Sequence, residues 1–419
     1  MHADHRQLGR ELGLFRTDPL VGAGLPLWLP DGAIVRSELE RLAAEEAIKG
    51  GCQRVYTPVL AKRELYERSG HWAKFAADMF PPMQVGGEEL VLRPANCPHH
   101  ALIYAAEQHS FRDLPVRLTE AASMFRSELS GVLGGLSRVR QINLDDTHVF
   151  CLPEQVTDEI ALALATARRY HQILGIEVTR YQLSRRGKDG AYLGGDALWR
   201  GAERQLAAAL DRLGLAYDDA PGEAAFYGPK IDVQVTDAAG REDTLSTVQL
   251  DFNQPERFDL SYAGSDGRQH RTAMIHRGVL SSMDRLVAYL IERYDGAFPP
   301  WLAPLQVLVL PVSDQQAALA RSLTSRFRVA GLRADYAMAD ATLGARIRRA
   351  RERRVPYVAV IGAREEASGL LAVRLRDGRQ LPAISAADLI AGVAGQVESR
   401  SPGLGFAAPA GSARPAGVA

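Results

Sequence analysis

The sequence predicts an α+β protein: an antiparallel sheet flanked by helices, followed by a smaller mixed α/β domain. Two observations lead to this fold class. Over residues 1–299, strand-like segments are followed by helical ones and are joined by hairpin signals, instead of alternating regularly with helices. After the Pro-rich segment 298–304, residues 305–312 form a nearly continuous apolar run, which is typical of a strand buried on both faces.

These patterns divide the chain into three parts. We expect a first domain over residues 1–299, a second over residues 300–400, and a tail over residues 401–419 that consists mostly of Gly, Pro, Ala and Ser. A tail of that composition lacks the apolar residues that a packed core needs, so we expect it to be disordered.

Helices of the first domain are predicted over residues 31–49, 153–173, 197–213 and 278–293. Asp31 is the expected cap of the first helix, and Gly50-Gly51 ends it. Pro153 fits the first turn of the second helix, where its missing N–H costs no hydrogen bond.

Strands of the first domain are predicted over residues 55–60, 118–126, 138–150 and 227–252, the last being an antiparallel pair that turns at residues 237–240. Residues 85–88 carry the sequence Val-Gly-Gly-Glu, which predicts a tight hairpin turn. Strands joined in this way pair with their neighbours in an antiparallel sheet.

The second domain begins with the strand 305–312, followed by a helix and a further strand. An Arg-rich helix is predicted over residues 342–354, then a strand over residues 357–362 and a hairpin at Asp377-Gly378. Ser385 is the expected cap of a last helix. The Arg-rich helix either lies in solvent or contacts phosphates, and composition alone does not decide between the two.

Composition excludes several classes of protein. The chain has 419 residues with 50 Lys+Arg and 50 Asp+Glu, so its net charge predicts no partner. Its three cysteines, Cys52, Cys97 and Cys151, do not make a disulfide framework, which favours a reducing cytoplasm. No apolar run approaches the roughly 20 residues that cross a bilayer, and the polar N-terminus lacks the apolar core of a signal peptide.

Three distant segments each offer one soft metal ligand beside charged groups. Cys97 lies in Arg-Pro-Ala-Asn-Cys-Pro-His-His, His148 in Asp-Asp-Thr-His, and His276 in Met-Ile-His-Arg. One Cys and two His would bind zinc with three protein ligands and leave the fourth position open for a substrate. Taken singly, each of these residues is more often a structural core residue than a ligand.

Charged residues in two further segments suit a nucleotide. Arg126 and Glu128 follow a predicted strand and precede a Gly-rich loop, where an arginine fork can bind a phosphate. Arg285 lies about two and a half turns beyond His276 if one helix contains both, within reach of a triphosphate. For isolated residues, a surface ion pair is the commoner explanation of each pattern.

Together the segments resemble the threonyl-tRNA synthetases, a family of class II aminoacyl-tRNA synthetases. The resemblance runs from about Asp4 to Glu398, and its specificity lies in the order of many short motifs. Besides those quoted above, the motifs are Ser69-Gly-His-Trp, Arg138-Val-Arg, Phe226-Tyr-Gly-Pro-Lys-Ile-Asp, Val248-Gln-Leu-Asp-Phe and Trp301-Leu-Ala-Pro.

The resemblance implies that L-threonine is activated with ATP and transferred to tRNA(Thr). It implies one Zn²⁺ per subunit on Cys97, His148 and His276, and Mg²⁺ bound with ATP. The amino-acid pocket would be formed by Asp146, Tyr227, Gln249 and Ser282. ATP would be held by Arg126, Glu128, Arg138 and Arg285, of which Arg126 and Arg285 also serve catalysis.

For tRNA, the resemblance implies three further sets of positions. His71 would help deprotonate the terminal ribose hydroxyl, and Lys230 would lie near the acceptor end. Arg354, Glu365 and Arg374 match positions that face the anticodon. The class also implies a homodimer, formed through the segment that ends near Pro58.

The implied chemistry is consistent with these residue types. The carboxylate of threonine attacks the α-phosphorus of ATP, so the protein must position its substrates and neutralise charge rather than supply a nucleophile. A site that binds the threonine hydroxyl rejects valine strongly, whereas serine differs by one methyl group, worth only ~1–3 kcal/mol. Because this sequence begins directly at the catalytic segment, we expect no editing domain in it and formation of Ser-tRNA.

The chain departs from the family pattern near the expected ligands. Ile142 and Leu144 replace a usual aromatic residue and a usual glutamine. Further replacements are Ala95 for methionine, His99 for glycine, Gly134 for histidine, and Asp340-Ala341 for an Asn-Glu pair. Such changes argue against an ordinary housekeeping enzyme and favour a second copy that tolerates an inhibitor.

Two other functions stay open at this point. One is an adenylate-forming ligase that passes threonine or an analogue to a carrier or small molecule. The other is a paralogue without catalysis, which the changes at Ile142 and Leu144 support. The second domain, with its three anticodon-facing positions, favours tRNA over a carrier.

Overall fold

The computed structural model describes residues 4–188, 192–237 and 239–406. The predicted disordered tail lies mostly outside this range, since residues 407–419 are not among the described ones. Within the described ranges, no helix is both long enough and apolar enough to cross a membrane.

The first part of the chain contains fifteen of the described strands, which are β1 (Phe15–Arg16), β2 (Leu27–Trp28), β3 (Gln53–Arg54), β4 (Leu60–Lys62), β5 (Met83–Val85), β6 (Glu88–Leu92), β7 (Val116–Phe125), β8 (Gln141–Cys151), β9 (Val178–Arg185), β10 (Tyr217–Pro221), β11 (Lys230–Thr236), β12 (Glu242–Asp251), β13 (Ser261–Ala263), β14 (Gln269–Arg271) and β15 (Ala273–Gly278).

Eight of these strands form one sheet, in the order β10-β9-β11-β12-β15-β8-β7-β3. All pairs from β9 to β7 are antiparallel, and only the two edge strands pair in parallel. The predicted antiparallel α+β fold is therefore confirmed.

The helices of the same part are α1 (His5–Glu11), α2 (Pro30–Lys49), α3 (Arg63–Ser69), α4 (His71–Phe75), α5 (Cys97–Ala105), α6 (Val156–Ile173), α7 (Asp196–Arg212), α8 (Asn253–Arg257) and α9 (Met283–Arg293). The apolar sides of α6 and α7 pack on β9, β11 and β12 and form one core with them. A second core joins α1, α2 and α9. Helices α6 and α7 cover one face of the sheet, whereas α5 packs on part of the opposite face, beside a cavity that β7, β8, β12 and β15 line.

The second part is a five-stranded sheet with helices, made of β16 (Val307–Pro311), α10 (Ala317–Val329), β17 (Ala334–Tyr336), α11 (Leu343–Glu352), β18 (Tyr357–Ile361), α12 (Ala363–Ser368), β19 (Leu370–Leu375), β20 (Ile384–Ser385) and α13 (Ala386–Glu398). Its strand order is β17-β16-β18-β19-β20, parallel at the first two pairs and antiparallel at the others. Every residue of β16 and β18 is buried, as the apolar run predicted for the first of them.

Several predicted elements are confirmed by the structure. β5 and β6 form the hairpin expected at residues 85–88, where Gly86 and Gly87 both have positive φ angles. Glycine adopts that backbone conformation without steric cost, which explains the Gly-Gly pair. The cap of the last helix is also confirmed, since Ser385 accepts a hydrogen bond from the Asp388 N–H.

Three sequence predictions are wrong in their details. The strand expected over residues 55–60 is interrupted, because Pro58 has no N–H and the Thr57 N–H bonds to the side chain of Glu120. Asp31 is not a cap: Leu29 is the N-cap and Pro30 the first residue of α2. Both differences change only where a strand or a helix begins, and the predicted fold is unaffected.

The predicted helix 278–293 contains the third error. β15 continues to Gly278, and α9 begins at Met283 with Ser282 as its cap. His276 is therefore on a strand and Arg285 lies in the first turn of α9, so the expected spacing of about two and a half helical turns between them is wrong.

The two parts of the chain contact each other through arginines. Arg333 Nη1 lies 2.8 Å from Glu38 Oε1 of α2, and Arg376 Nη1 donates to the Phe298 carbonyl at 2.6 Å. These hydrogen bonds tie the five-stranded sheet to the first part of the chain.

Packing at Gly32, in the first turn of α2, makes a testable prediction. A Cβ at Gly32 would lie 1.9 Å from the Leu14 carbonyl oxygen, whereas a Cβ at Gly201 of α7 meets nothing within 4 Å. We expect Gly32→Ala to lower the free energy of unfolding by about 1–3 kcal/mol because of this overlap. Gly201→Ala, the matched control, should raise it by about 0.5–1 kcal/mol. Urea denaturation of both variants measures the difference, and equal effects would contradict the packing of α2 on this loop.

Candidate active site and metal centre

A cavity of about 410 Å³ lies beside α5, on the face of the eight-stranded sheet opposite α6 and α7. Alternate residues of a strand point to the same face, so β8 contributes Leu144, Asp146 and His148. β12 contributes Thr247 and Gln249 by the same rule. The predicted residues that line the cavity are His71, Cys97, Arg126, Glu128, Arg138, Asp146, His148, Tyr227, Gln249 and His276.

The three predicted metal ligands meet in this cavity. Cys97 is the first residue of α5, and His148 lies directly opposite His276 in the β8–β15 pair. The ligand atoms of the three side chains all lie within 4.8 Å of one another, and His148 Nε2 is 3.0 Å from His276 Nδ1. Zn–N bonds of about 2.0–2.1 Å hold two nitrogens about 3.3 Å apart, so the arrangement suits a tetrahedral ion.

Hydrogen bonds to the other ring nitrogens support the same interpretation. His276 Nε2 lies 2.7 Å from Asp251 Oδ2, which leaves Nδ1 free for a metal. His148 Nδ1 lies 2.8 Å from His100 Nδ1, which directs Nε2 toward the cavity. Metal-binding histidines usually have such partners on the second nitrogen, so the donor set fits a zinc ion.

Burial sets the protonation of two groups beside the metal site. It raises the pKa of the Cys97 thiol well above its usual range, and it lowers the pKa of His71 to about 4. His71, the first residue of α4, lies 2.7 Å from Ser69 Oγ by Nδ1 and 3.7 Å from Cys97 Sγ by Nε2. A neutral imidazole in this position can accept a proton.

The residues expected to bind the amino acid adjoin the metal site. Asp146 is buried, which raises its pKa to about 6, and its Oδ1 lies 3.7 Å from His148 Nε2. The Tyr227 hydroxyl donates to Gln249 Oε1 at 2.6 Å. Ser282 lies outside the cavity lining and accepts from the Arg285 N–H at 3.2 Å.

The residues expected to bind ATP divide into two groups. Arg126 lines the cavity, and no carboxylate of the described chain pairs with its guanidinium, so this charge is available for an anion. Glu128 instead pairs with Arg138, at 2.8 Å from Nη2. Arg285 lies outside the lining, where its Nη1 is 3.4 Å from Asp243 Oδ1. Its side chain would have to turn to reach a ligand in the cavity.

The residues expected to contact tRNA lie in several places. Lys230 Nζ is 2.6 Å from Asp232 Oδ2, on the strand that follows Tyr227. Arg354 pairs with Asp295 of the first part of the chain, at 2.8 Å. Glu365 accepts from the Gly362 N–H at 2.9 Å, beyond the opposite end of β18, while Arg374 is exposed on β19.

The residues that differ from the family pattern lie in different parts of the structure, and only some of them line the cavity. Ala95 and Leu144 line the cavity. Ile142 and Gly134 do not, and His99 is buried behind the site with its ring centroid 6.4 Å from that of Tyr66. The cavity wall is therefore altered at two positions.

Sequence reasoning did not identify the buried partners of the metal site, which are Asn96, His100, Glu120 and Asp251. Burial raises the pKa of Glu120, but the neighbouring His100 and Thr57 and the charge of Arg93 outweigh it and lower that pKa to about 2. The only local signal was His100, which lies three residues after Cys97 on one helix and therefore on the same side of it.

A second group of ligating side chains lies elsewhere, formed by Asp4, His5 and Glu292. Asp4 accepts from the backbone N–H of Arg6 at 2.7 Å and from its guanidinium, so its oxygens are already bonded. His5 Nδ1 lies 2.7 Å from Glu292 and its Nε2 accepts from the Leu136 N–H. This group is explained by its structural role in anchoring α1.

Comparison with known proteins agrees with this geometry. Residues 80–294 match the family model of the tRNA synthetase class II core domain (G, H, P, S and T), and residues 306–396 match that of the anticodon binding domain. A threonine–tRNA ligase of Geobacillus sp. (strain WCH70) is 47% identical over 397 residues, which are 94% of this chain and 62% of that protein.

Threonine–tRNA ligase 1 of Bacillus subtilis (strain 168) is 48% identical over 374 residues, covering 88% of this chain and 58% of that protein. The chain thus spans about six tenths of the length of these curated relatives. A crystal structure titled as the RNA binding domain of threonyl-tRNA synthetase from Cryptosporidium parvum Iowa II superposes with a TM-score of 0.88. It is 34% identical, and the match covers 94% of this chain and 98% of that one. The chain belongs to the threonyl-tRNA synthetase family of class II aminoacyl-tRNA synthetases.

Proposed function

We propose that this chain activates L-threonine with ATP and transfers the threonyl group to tRNA(Thr). The observation that carries the proposal is one cavity that joins a Cys-His-His cluster, the buried carboxylate Asp146 and the guanidinium of Arg126, which has no carboxylate partner among the described residues. The relatives named as threonine–tRNA ligases support the same activity.

We propose Zn²⁺ as the ion for Cys97, His148 and His276, and Mg²⁺ as the companion of ATP. Bound zinc supplies a Lewis acid with an open position for the amino and hydroxyl groups of threonine. Asp146 would accept a hydrogen bond from that hydroxyl, and Tyr227 and Gln249 would bound the pocket.

The remaining residues would neutralise charge and move one proton. Arg126 would bind the α-phosphate, the group that the threonine carboxylate attacks. Glu128, Arg138 and Arg285 would hold the rest of the nucleotide. His71, neutral because of its burial, would then accept the proton of the tRNA ribose hydroxyl.

We further propose a catalytic domain over residues 1–299 and an anticodon-binding domain over residues 300–400. Contacts with tRNA would involve Lys230 near the acceptor end and Arg354, Glu365 and Arg374 near the anticodon. A cytoplasmic location also stays a prediction.

We also propose a homodimer through the segment that ends near Pro58. Large apolar side chains are exposed within it and next to it, namely Ile48, Tyr56, Val59 and Leu60, and Tyr56 is 76% exposed. Exposed apolar groups concentrated on one segment are typical of a protein interface.

Amino-acid specificity and acceptor are tested together. We expect pyrophosphate exchange with threonine, weaker exchange with serine, and almost none with valine, because valine leaves the metal and Asp146 without a hydroxyl. Threonine should then be transferred to threonine-specific tRNA. Exchange without charging of any tRNA would favour a carrier or a small molecule as the acceptor, and no exchange with zinc-loaded protein would contradict the enzymatic function.

Metal content tests the proposed centre. We expect about one zinc per chain in the parent protein, and loss of that zinc in Cys97→Ala because two imidazoles alone bind it weakly. Cys52→Ala, a change of a buried cysteine away from the cavity, is the matched control and should keep its zinc.

The pH dependence of zinc binding follows from the Cys97 thiol. Burial keeps this thiol protonated, so zinc must displace its proton and affinity should rise with pH, by up to about tenfold per unit. Mass spectrometry measures the zinc content of each variant, and chelator competition at several pH values measures the zinc affinity. Zinc retained by Cys97→Ala would overturn the assignment.

The proposed hydrogen bond between Asp146 and the threonine hydroxyl is tested by comparing threonine with valine. We expect Asp146→Asn to reduce kcat/KM for threonine in pyrophosphate exchange by about 10–100-fold, since a hydrogen bond to a charged group contributes about 1.5–3 kcal/mol. The residual activity with valine should change much less, because valine has no hydroxyl. An equal loss for both amino acids would assign Asp146 a structural role.

A further inference from the structure

His100 contacts the proposed metal centre from behind, and Glu120 lies next to His100. His100 is fully buried on α5, its Nδ1 lies 2.8 Å from Nδ1 of His148, and its Nε2 lies 3.5 Å from Oε2 of Glu120. We infer that His100 and Glu120 are positioning residues that allow His148 to adopt, when a metal binds, the tautomer whose Nε2 lone pair faces the metal. This inference rests on the proposed function, since it deepens the assignment of the metal site.

The short contact between the two rings requires one proton donor and one acceptor. A neutral imidazole has one N–H and one lone pair, so only one of the two Nδ1 atoms carries the proton. If His148 donates from Nδ1, its Nε2 is a lone pair and can bind a metal. If His100 donates instead, His148 carries its proton on Nε2 and cannot bind a metal there.

Each of these two arrangements is supported by a different neighbour of His100. Nδ2 of Asn96 lies 3.0 Å from His100 Nε2, and donation from that amide favours a proton on His100 Nδ1. His148 Nε2 would then donate to His276 Nδ1 at 3.0 Å, which is a complete hydrogen-bond chain for the metal-free protein. The metal-free site is therefore satisfied by the tautomer that cannot bind the ion.

Glu120 makes the metal-bound arrangement possible. When a metal takes the His148 Nε2 lone pair, the proton of His148 moves to Nδ1 and that of His100 moves to Nε2, so the total number of protons does not change. A carboxylate oxygen only accepts hydrogen bonds and can receive this Nε2 proton. Without an acceptor at this position, the proton on His100 would be buried without a partner, at a cost in metal affinity.

The carboxylate of Glu120 is itself held firmly. The Thr57 hydroxyl donates to its Oε2 at 2.7 Å, and Arg93 Nη2 lies 3.3 Å from its Oε1. Both groups are donors and keep the carboxylate ionised and oriented. The second carboxylate of the site, Asp251, acts directly on His276, so the two metal-binding histidines are oriented by different means.

The affinity for zinc in three variants tests this inference. His100→Leu removes the acceptor, and we expect zinc to bind about 10–100-fold more weakly than to the parent chain. His100→Asn keeps an oxygen near the position of Nδ1 and should recover most of that loss. His171→Leu is the matched control: His171 is an equally buried histidine whose Nε2 lies 3.1 Å from Ser246 Oγ, and its loss should change stability without changing zinc affinity.

The possible results separate the two proposals. If the parent chain binds no zinc, the proposed metal centre and this inference both fail. If the parent chain binds zinc and folded His100→Leu binds it equally tightly, or if His100→Asn loses as much affinity as His100→Leu, only this inference fails. Chelator competition measures the affinities, and thermal denaturation shows that each variant is folded.

A measurement on the parent chain decides the matter if His100→Leu does not fold. Long-range ¹H–¹⁵N NMR spectra of histidine-labelled protein report which ring nitrogen carries the proton. We expect zinc to move the proton of His148 to Nδ1 and that of His100 to Nε2. A zinc-bound protein in which His100 keeps its proton on Nδ1 would overturn the inference.

Discussion

The register between β8 and β15 is the constraint on which the candidate site depends. It places His148 directly opposite His276, so that two imidazoles from segments more than a hundred residues apart share one face of the sheet. A shift of one residue in either strand would send one of these rings to the helix-covered face. The same register fixes Asp146 beside the metal ligands and Asp145 beneath them, where Asp145 accepts from the Leu280 N–H. Because successive side chains of a strand point to opposite faces of the sheet, the neighbouring Asp145 and Asp146 contact different groups.

Several polar and charged side chains are buried close to this pair of strands. Arg93, Asn96, His100 and Glu120 are each at most 5% exposed, and all lie behind the metal ligands. Buried charges are costly unless each is paired and hydrogen-bonded. Here Arg93 bonds to Glu120, to Asn96 and to the Thr57 hydroxyl, which offsets that cost. Such a network fixes the positions of the proposed ligands in the metal-free protein, so binding of an ion would cost less conformational freedom.

The sequence predicted those features that depend on local spacing. The strand expected over residues 118–126 is found as Val116–Phe125, and the Gly-Gly hairpin is where its turn geometry requires it. The start of α9 was missed because Val279 and Leu280 extend the apolar pattern beyond β15, and the cap signal at Ser281-Ser282 was not used. The three metal ligands were suggested by residue type, and the order of the motifs related them to one another. Glu120 could not be assigned, since its contact with His100 depends on the packing of α5 against the sheet.

The cavity is polar at one end and apolar along one wall, so the residues of the two regions contribute differently to ligand binding. Its metal end offers a carboxylate, two imidazoles and a thiol, whereas the wall that includes Met124, Leu144 and Ala95 is apolar. An apolar wall contributes about 25 cal/mol for each Å² of ligand surface that it covers, but it does not select among polar groups. Recognition of an anionic ligand at that wall then depends on Arg126, whose guanidinium has no carboxylate partner in the described chain. In the proposed site, the groups that can distinguish one polar ligand from another are therefore concentrated around Cys97, His148 and His276.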